Sequence, residues 1–206
     1  MIRKPFRRML TGLLAAVLAV TSALPAFAAG TAYTITYKPG NYAKETAVYT
    51  QKTTVGASVK LKTAVYTRTG YTQSRWLVAN ASDDDILLSL GQTINTATYY
   101  NRFKAYSTLY LVPGWTANTY YVKYVNPVTG KSITKTYTYD KSYAYLSSAA
   151  FSRSGYTLKG WSTISGTSTD STTYPTGSVI QPGSRLTNLT TVNKRTITVY
   201  AVWERN

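Results

Sequence analysis

The chain has 206 residues, with 23 lysines and arginines against 7 aspartates and glutamates, for a formal net charge of +16. It contains no histidine and no cysteine, which removes disulfides, thiolate chemistry, Ser-His-Asp and Cys-His arrangements, and His-based zinc or iron sites. Such a surplus of positive charge draws anionic surfaces, and because the basic residues are spread along the chain it suggests general adherence more than one specific ligand.

The first 28 residues read as a cleavable secretory signal. Arg3, Lys4, Arg7 and Arg8 form a basic start, an apolar stretch follows from Met9 to Val20, and Pro25 precedes Ala26-Phe27-Ala28. Small side chains at Ala26 and Ala28 place the cut after Ala28, with a cut after Ala29 as the second choice. An uncleaved anchor fits less well, because Thr11, Gly12, Thr21 and Ser22 interrupt the apolar run, which falls short of the roughly 20 residues a spanning helix needs. Loss of the signal's four basic residues leaves a formal charge of +12. No other apolar run approaches spanning length, Trp203–Asn206 shows no anchor or sorting signal, and no cysteine is available for a lipobox. The membrane is thus expected to be met only during export. The destination is extracellular or cell-envelope associated, and export without disulfides fits many Gram-positive bacteria.

Beyond the signal, motifs recur in constant order. Tyr33-Thr-Ile-Thr-Tyr37 returns as Tyr120-Tyr-Val-Lys-Tyr124, and Arg68-Thr-Gly-Tyr-Thr-Gln-Ser-Arg-Trp76 returns 85 residues later as Arg153-Ser-Gly-Tyr-Thr-Leu-Lys-Gly-Trp161. Gly91-Gln-Thr-Ile94 is matched by Gly177-Ser-Val-Ile180, and Leu109–Trp115 by Val199–Trp203. The order predicts two units, residues 31–117 and 118–206, with the boundary near Thr116–Thr119 and a short linker that restricts flexing. Each is large enough for a modest core of its own.

Within a unit the composition is that of strands: Thr, Val and Tyr dominate, and alternation is visible in Lys131–Tyr139 and Thr196–Trp203. Tyr121–Val125, the Pro127/Gly130 turn and Lys131–Tyr139 predict a hairpin. Helical turns are predicted at Ser58–Thr63, at Asp83–Leu90 behind a Ser82 cap, and at Tyr143–Ala150. The class expected is a β-rich α+β fold in two small modules.

Y-x-[IV]-x-Y, R-[TS]-G-Y-T-x-x-x-W and a closing L/V-Y-x-V-W together resemble the Listeria–Bacteroides repeat, or InlB B-repeat, found in tandem on bacterial surface and secreted proteins. The resemblance covers about Tyr33 to Glu204, and the second copy matches better. The first copy departs at Arg75, Asp83–Asp85 and Pro113-Gly114, and both lack the usual Asn-Gly-Gly turn. The resemblance implies a β-grasp-like fold, a curved sheet crossed by a short helix, used in adhesion or as a spacer.

The repeated residues read as structural anchors: Gly70 and Gly155 for turns with positive φ, Tyr71 and Tyr156 re-entering the core, and Trp76, Trp115, Trp161 and Trp203 organising it. The acids are Glu45, Asp83, Asp84, Asp85, Asp140, Asp170 and Glu204, with no spacing that suggests a carboxylate pair across a cleft. Asp83–Asp85 suits a helix start better than a calcium loop. No catalytic, cofactor or metal site is expected, and no nucleic-acid motif is found. The expected partner is an anionic wall polymer or glycan. The tyrosines Tyr99, Tyr100, Tyr137, Tyr139, Tyr143 and Tyr145 are candidates for an exposed sugar-stacking surface.

Overall fold

The computed structural model describes residues 30–80, 86–103, 106–164 and 179–206. The signal segment with Ala26 and Ala28, and the Ser82–Asp85 stretch, lie outside the described residues. The fold is β-rich α+β, with several sheets.

In the first half, β1 (Ala32–Tyr37), β2 (Tyr49–Thr54), β4 (Tyr71–Val78), β5 (Leu87–Ser89) and β7 (Thr108–Ala117) make one mixed sheet in the order β2-β1-β7-β4-β5. β1 and β7 run parallel, and the other neighbours are antiparallel. Period-two alternation turns Tyr33, Ile35 and Tyr37 of β1 and Leu109 and Leu111 of β7 into the core, where they meet Leu61, Tyr66, Trp76 and Val78. A ribbon of β3 (Ser58–Lys60) and β6 (Thr93–Asn95) leads into α1 (Thr96–Arg102).

The second half repeats the central order. β8 (Thr119–Val125), β9 (Ser132–Thr138), β11 (Tyr156–Ser162) and β13 (Thr196–Arg205) form a sheet in the order β9-β8-β13-β11, with β8 and β13 parallel. β10 (Tyr143–Ala144) pairs with β12 (Arg185–Leu186), and a 3₁₀ turn spans Ser148–Ala150. Tyr120, Val122, Tyr124, Trp161, Val199 and Trp203 fill this core. Irregularities recur at matching places, with register shifts at Gln73/Arg75 and at Leu158/Gly160. The predicted hairpin is present as β8–β9, and Gly130 takes φ 70° in its turn.

The helical turns differ from expectation. Ser58–Lys60 is a strand paired with Thr93–Asn95, and Leu87–Ser89 is a strand against Arg75–Leu77. In the latter, Leu88 points inward between exposed Leu87 and Ser89, so period two overrides the local helix signal. Only the 3₁₀ turn matches the helix predicted at Tyr143–Ala150. The helix that does form, α1, carries Thr and Tyr, poor helix formers. It is held by Asn95, whose side chain accepts from Ala97 N at 2.9 Å, and by burial of Thr96 and Ala97.

A single residue, Asn118, separates β7 from β8, and it is buried. All its polar groups are bonded. Its N–H donates to Gly70 O at 2.9 Å, and its Oδ1 accepts from Thr72 Oγ1 at 2.6 Å. Its carbonyl accepts from Tyr139 N, and its Nδ2 donates to Thr191 O, each at 2.8 Å. Two bonds therefore reach into each half. Around it the Tyr71 hydroxyl donates to Asp140 Oδ2 at 2.8 Å, and the Tyr71 and Tyr139 rings meet edge to face at 5.8 Å. Asn206 repeats the first two bonds of Asn118, donating to Gly155 O at 3.0 Å and accepting from Thr157 Oγ1 at 2.7 Å.

Gly70 and Gly155 both have positive φ, 75° and 73°, but a Cβ on Gly70 would overlap the Tyr139 ring while one on Gly155 meets open space. Gly155→Ala is expected to lose about 1–2 kcal/mol, the left-handed backbone penalty alone. Gly70→Ala should lose clearly more, because the Tyr139 ring must also move. Chemical denaturation of both variants checks this, and equal losses would show that the Gly70–Tyr139 contact does not matter.

Candidate functional site

Trp76 and Trp161 occupy equivalent, fully buried positions. The Trp76 indole N–H donates to Lys62 O at 2.8 Å and that of Trp161 to Leu146 O at 2.9 Å. Tyr37 meets Trp76 edge to face at 4.8 Å, and Tyr124 meets Trp161 the same way at 4.8 Å. Tyr66 and Phe151 complete the two sets at 6.0 and 5.9 Å. Trp203 is also buried, and its Nε1 finds no partner among the described residues. Trp115 instead packs on the edge of the first core and stays partly exposed.

Tyr71 does not enter a core. It lies across the junction with Asp140, whereas Tyr156 packs partly on the second core. The tyrosines thought to face outward also separate: Tyr137 and Tyr145 are core residues, and Tyr124 and Tyr137 share a hydroxyl hydrogen bond at 2.8 Å. Among the described residues the well-exposed tyrosine rings are Tyr42 at 64% and Tyr106 at 50%.

One repeated element was legible only in part. In both Arg-x-Gly-Tyr segments the positive-φ glycine folds the arginine back over the tyrosine, with Arg68 3.6 Å from the Tyr71 ring centre and Arg153 3.5 Å from that of Tyr156. Arg68 also lies 4.4 Å from the centre of the Tyr42 ring. Beside it opens a groove of about 550 Å³ lined by Tyr42, Arg68, Leu77, Val112, Pro113 and Trp115 with the loop of residues 39–41. Nothing in the sequence pointed to Tyr42, because its loop has no counterpart in the repeated motifs. The junction residue had a signal, the matching Trp115-Thr-Ala-Asn118 and Trp203-Glu-Arg-Asn206.

The described carboxylates all hold structure. Glu45 accepts from Thr67 Oγ1 and N at 2.6 and 2.8 Å, and these bonds keep its carboxyl below the usual range. Asp140 accepts from Tyr71 and from Asn188 Nδ2, and Glu204 pairs with Lys159 at 2.9 Å. Among the described residues no group of three His, Cys, Asp or Glu side chains is placed to hold a metal ion. A comparison of the sequence with models of known families found no match, and neither did a comparison with curated proteins.

Burial pushes the hydroxyls of Tyr33 and Tyr66 up to about 12, and burial followed by the Tyr137 hydrogen bond raises Tyr124 as well. A folded-state value above the unfolded one means that the folded protein keeps a proton the unfolded chain releases. The resulting stability is complete below about pH 10 and is lost as pH rises through about 12. Phenolate absorbance and circular dichroism followed together should show a fraction of the tyrosines ionising only as the sheets unfold. Full ionisation with the sheets intact would contradict the burial of these hydroxyls.

Proposed function

We propose that this chain is a non-catalytic exported bacterial surface or secreted protein, in which two B-repeat-like, β-grasp-like modules act in adhesion or as a spacer. The observation that carries the reading is the one-residue junction at Asn118, which ties two sheets of matching strand order together by bonds to Gly70, Thr72, Tyr139 and Thr191. A spacer needs a fixed relation between successive units, and a fully bonded buried asparagine supplies one. The signal-like first 28 residues and the repeated motifs support export and the family likeness. The lack of His and Cys, with the described carboxylates committed to structural bonds, supports a role without catalysis.

In this reading the basic charge retains the protein on anionic wall polymer. Such attraction is screened over about 8 Å at physiological salt and over less as salt rises. Washed producing cells are expected to release the protein progressively between low and molar salt. Recovery of all of it in low-salt medium would contradict wall retention. A second reading, a soluble carbohydrate- or polyanion-binding module, is favoured by the groove beside Arg68.

A further inference from the structure

The groove beside Arg68 combines three features on one surface. Its guanidinium is oriented by two rings, Tyr71 at 3.6 Å and Tyr42 at 4.4 Å. A guanidinium held against aromatic rings by cation–π attraction keeps N–H donors for bidentate capture of a carboxylate or phosphate. No carboxylate of the described residues forms an ion pair with it. Among these, Glu45 is engaged by Thr67, Asp140, beyond Tyr71, by Tyr71 and Asn188, and Glu204 by Lys159.

The second feature is exposed aromatic surface. Tyr42 is 64% exposed, and Trp115 faces the same groove while remaining partly open, unlike its buried counterpart Trp203. A flat ring beside a fixed cation matches the two faces of an acidic sugar, a C–H face that packs on an aromatic ring and an anionic substituent. The third feature is size: about 550 Å³ lies within the range of small-ligand sites.

We propose that this groove binds an anionic saccharide, a pyranose carrying a carboxylate or a phosphate. Arg68 takes the anion, and Tyr42 and Trp115 take the ring faces. The site deepens the adhesive reading by giving the attraction a defined address, and it rests on that reading. Wall retention by total charge depends on no particular residue, whereas this site depends on Arg68, Tyr42 and Trp115.

The test uses the full chain at physiological salt, with hexagalacturonate as the carboxylate probe, glucose 6-phosphate as the phosphate probe and neutral cellohexaose as control. Binding is followed by calorimetry and by tryptophan fluorescence. Saturable binding of at least one anionic probe is expected, tenfold or more tighter than cellohexaose, and which probe binds tells carboxylate from phosphate. Tyr42→Ala, at an exposed position, and Arg68→Gln should each weaken binding about tenfold. Lys135→Gln on β9, which removes the same unit of charge elsewhere, should change it less than twofold. The proposal is overturned if neither anionic probe binds saturably, if cellohexaose binds as well, or if Tyr42→Ala has no effect. A loss with Lys135→Gln equal to that with Arg68→Gln would also overturn it, while leaving charge-driven retention intact.

Discussion

Each half of the molecule depends on one indole. Trp76 and Trp161 each donate to the carbonyl of a segment outside the main sheet, Lys62 and Leu146, while an edge-to-face tyrosine from the first strand closes on the ring. Burying a ring of this size removes about 150–250 Å² from water. At about 25 cal/mol per Å² that is roughly 4–6 kcal/mol, an upper figure because the unfolded chain is itself partly compact. A unit of this length has net stability of roughly 4–13 kcal/mol, so one side chain can decide whether it folds. The hydrogen bond adds direction to that burial, fixing where the connecting segment crosses the sheet.

That arrangement explains how so polar a chain folds without disulfides. Threonine fills the outward strand positions, while the inward ones take tyrosine as readily as leucine, as at Tyr33, Tyr37, Tyr120 and Tyr124. Tyrosine suits both environments because its body is apolar and only its tip needs a partner. Some tips find one, such as Tyr66, which donates to Tyr37 O at 2.8 Å, and Tyr37, which donates to the Gln51 side chain. The buried tyrosine network then joins the halves' architecture to alkaline sensitivity, because the same hydroxyls resist ionisation.

Much of this was legible in the chain. The recurrence of Tyr-x-[Ile/Val]-x-Tyr and Arg-x-Gly-Tyr marks elements that occupy matching positions, with Trp76 and Trp161 in matching environments. The helices were not legible, for a definite reason. Leu87–Ser89 and Ser58–Lys60 are too short for periodicity to separate strand from helix, and the pairing with β4 and β6 that makes them strands is not written in the segments themselves. In α1, Asn95 and buried packing outweigh the weak propensity of Thr and Tyr. The burial of Tyr137 on β9 and of Tyr145, just after β10, was hidden because the residues around them are also polar-tipped. The groove was hidden because Tyr42 comes from a loop outside the repeat and reaches Arg68 only through the fold.

Hydrogen exchange of the indole protons tests the dependence on Trp76 and Trp161 most directly. If these two bonds anchor the cores, both protons exchange only through global unfolding, as slowly as the most protected strand amides. The Trp115 indole, at a partly open position, should exchange much faster under the same conditions. Rapid exchange at Trp76 or Trp161 while the amides of β1, β7, β8 and β13 stay protected would contradict the account, because the sheets would then persist without their indole anchors.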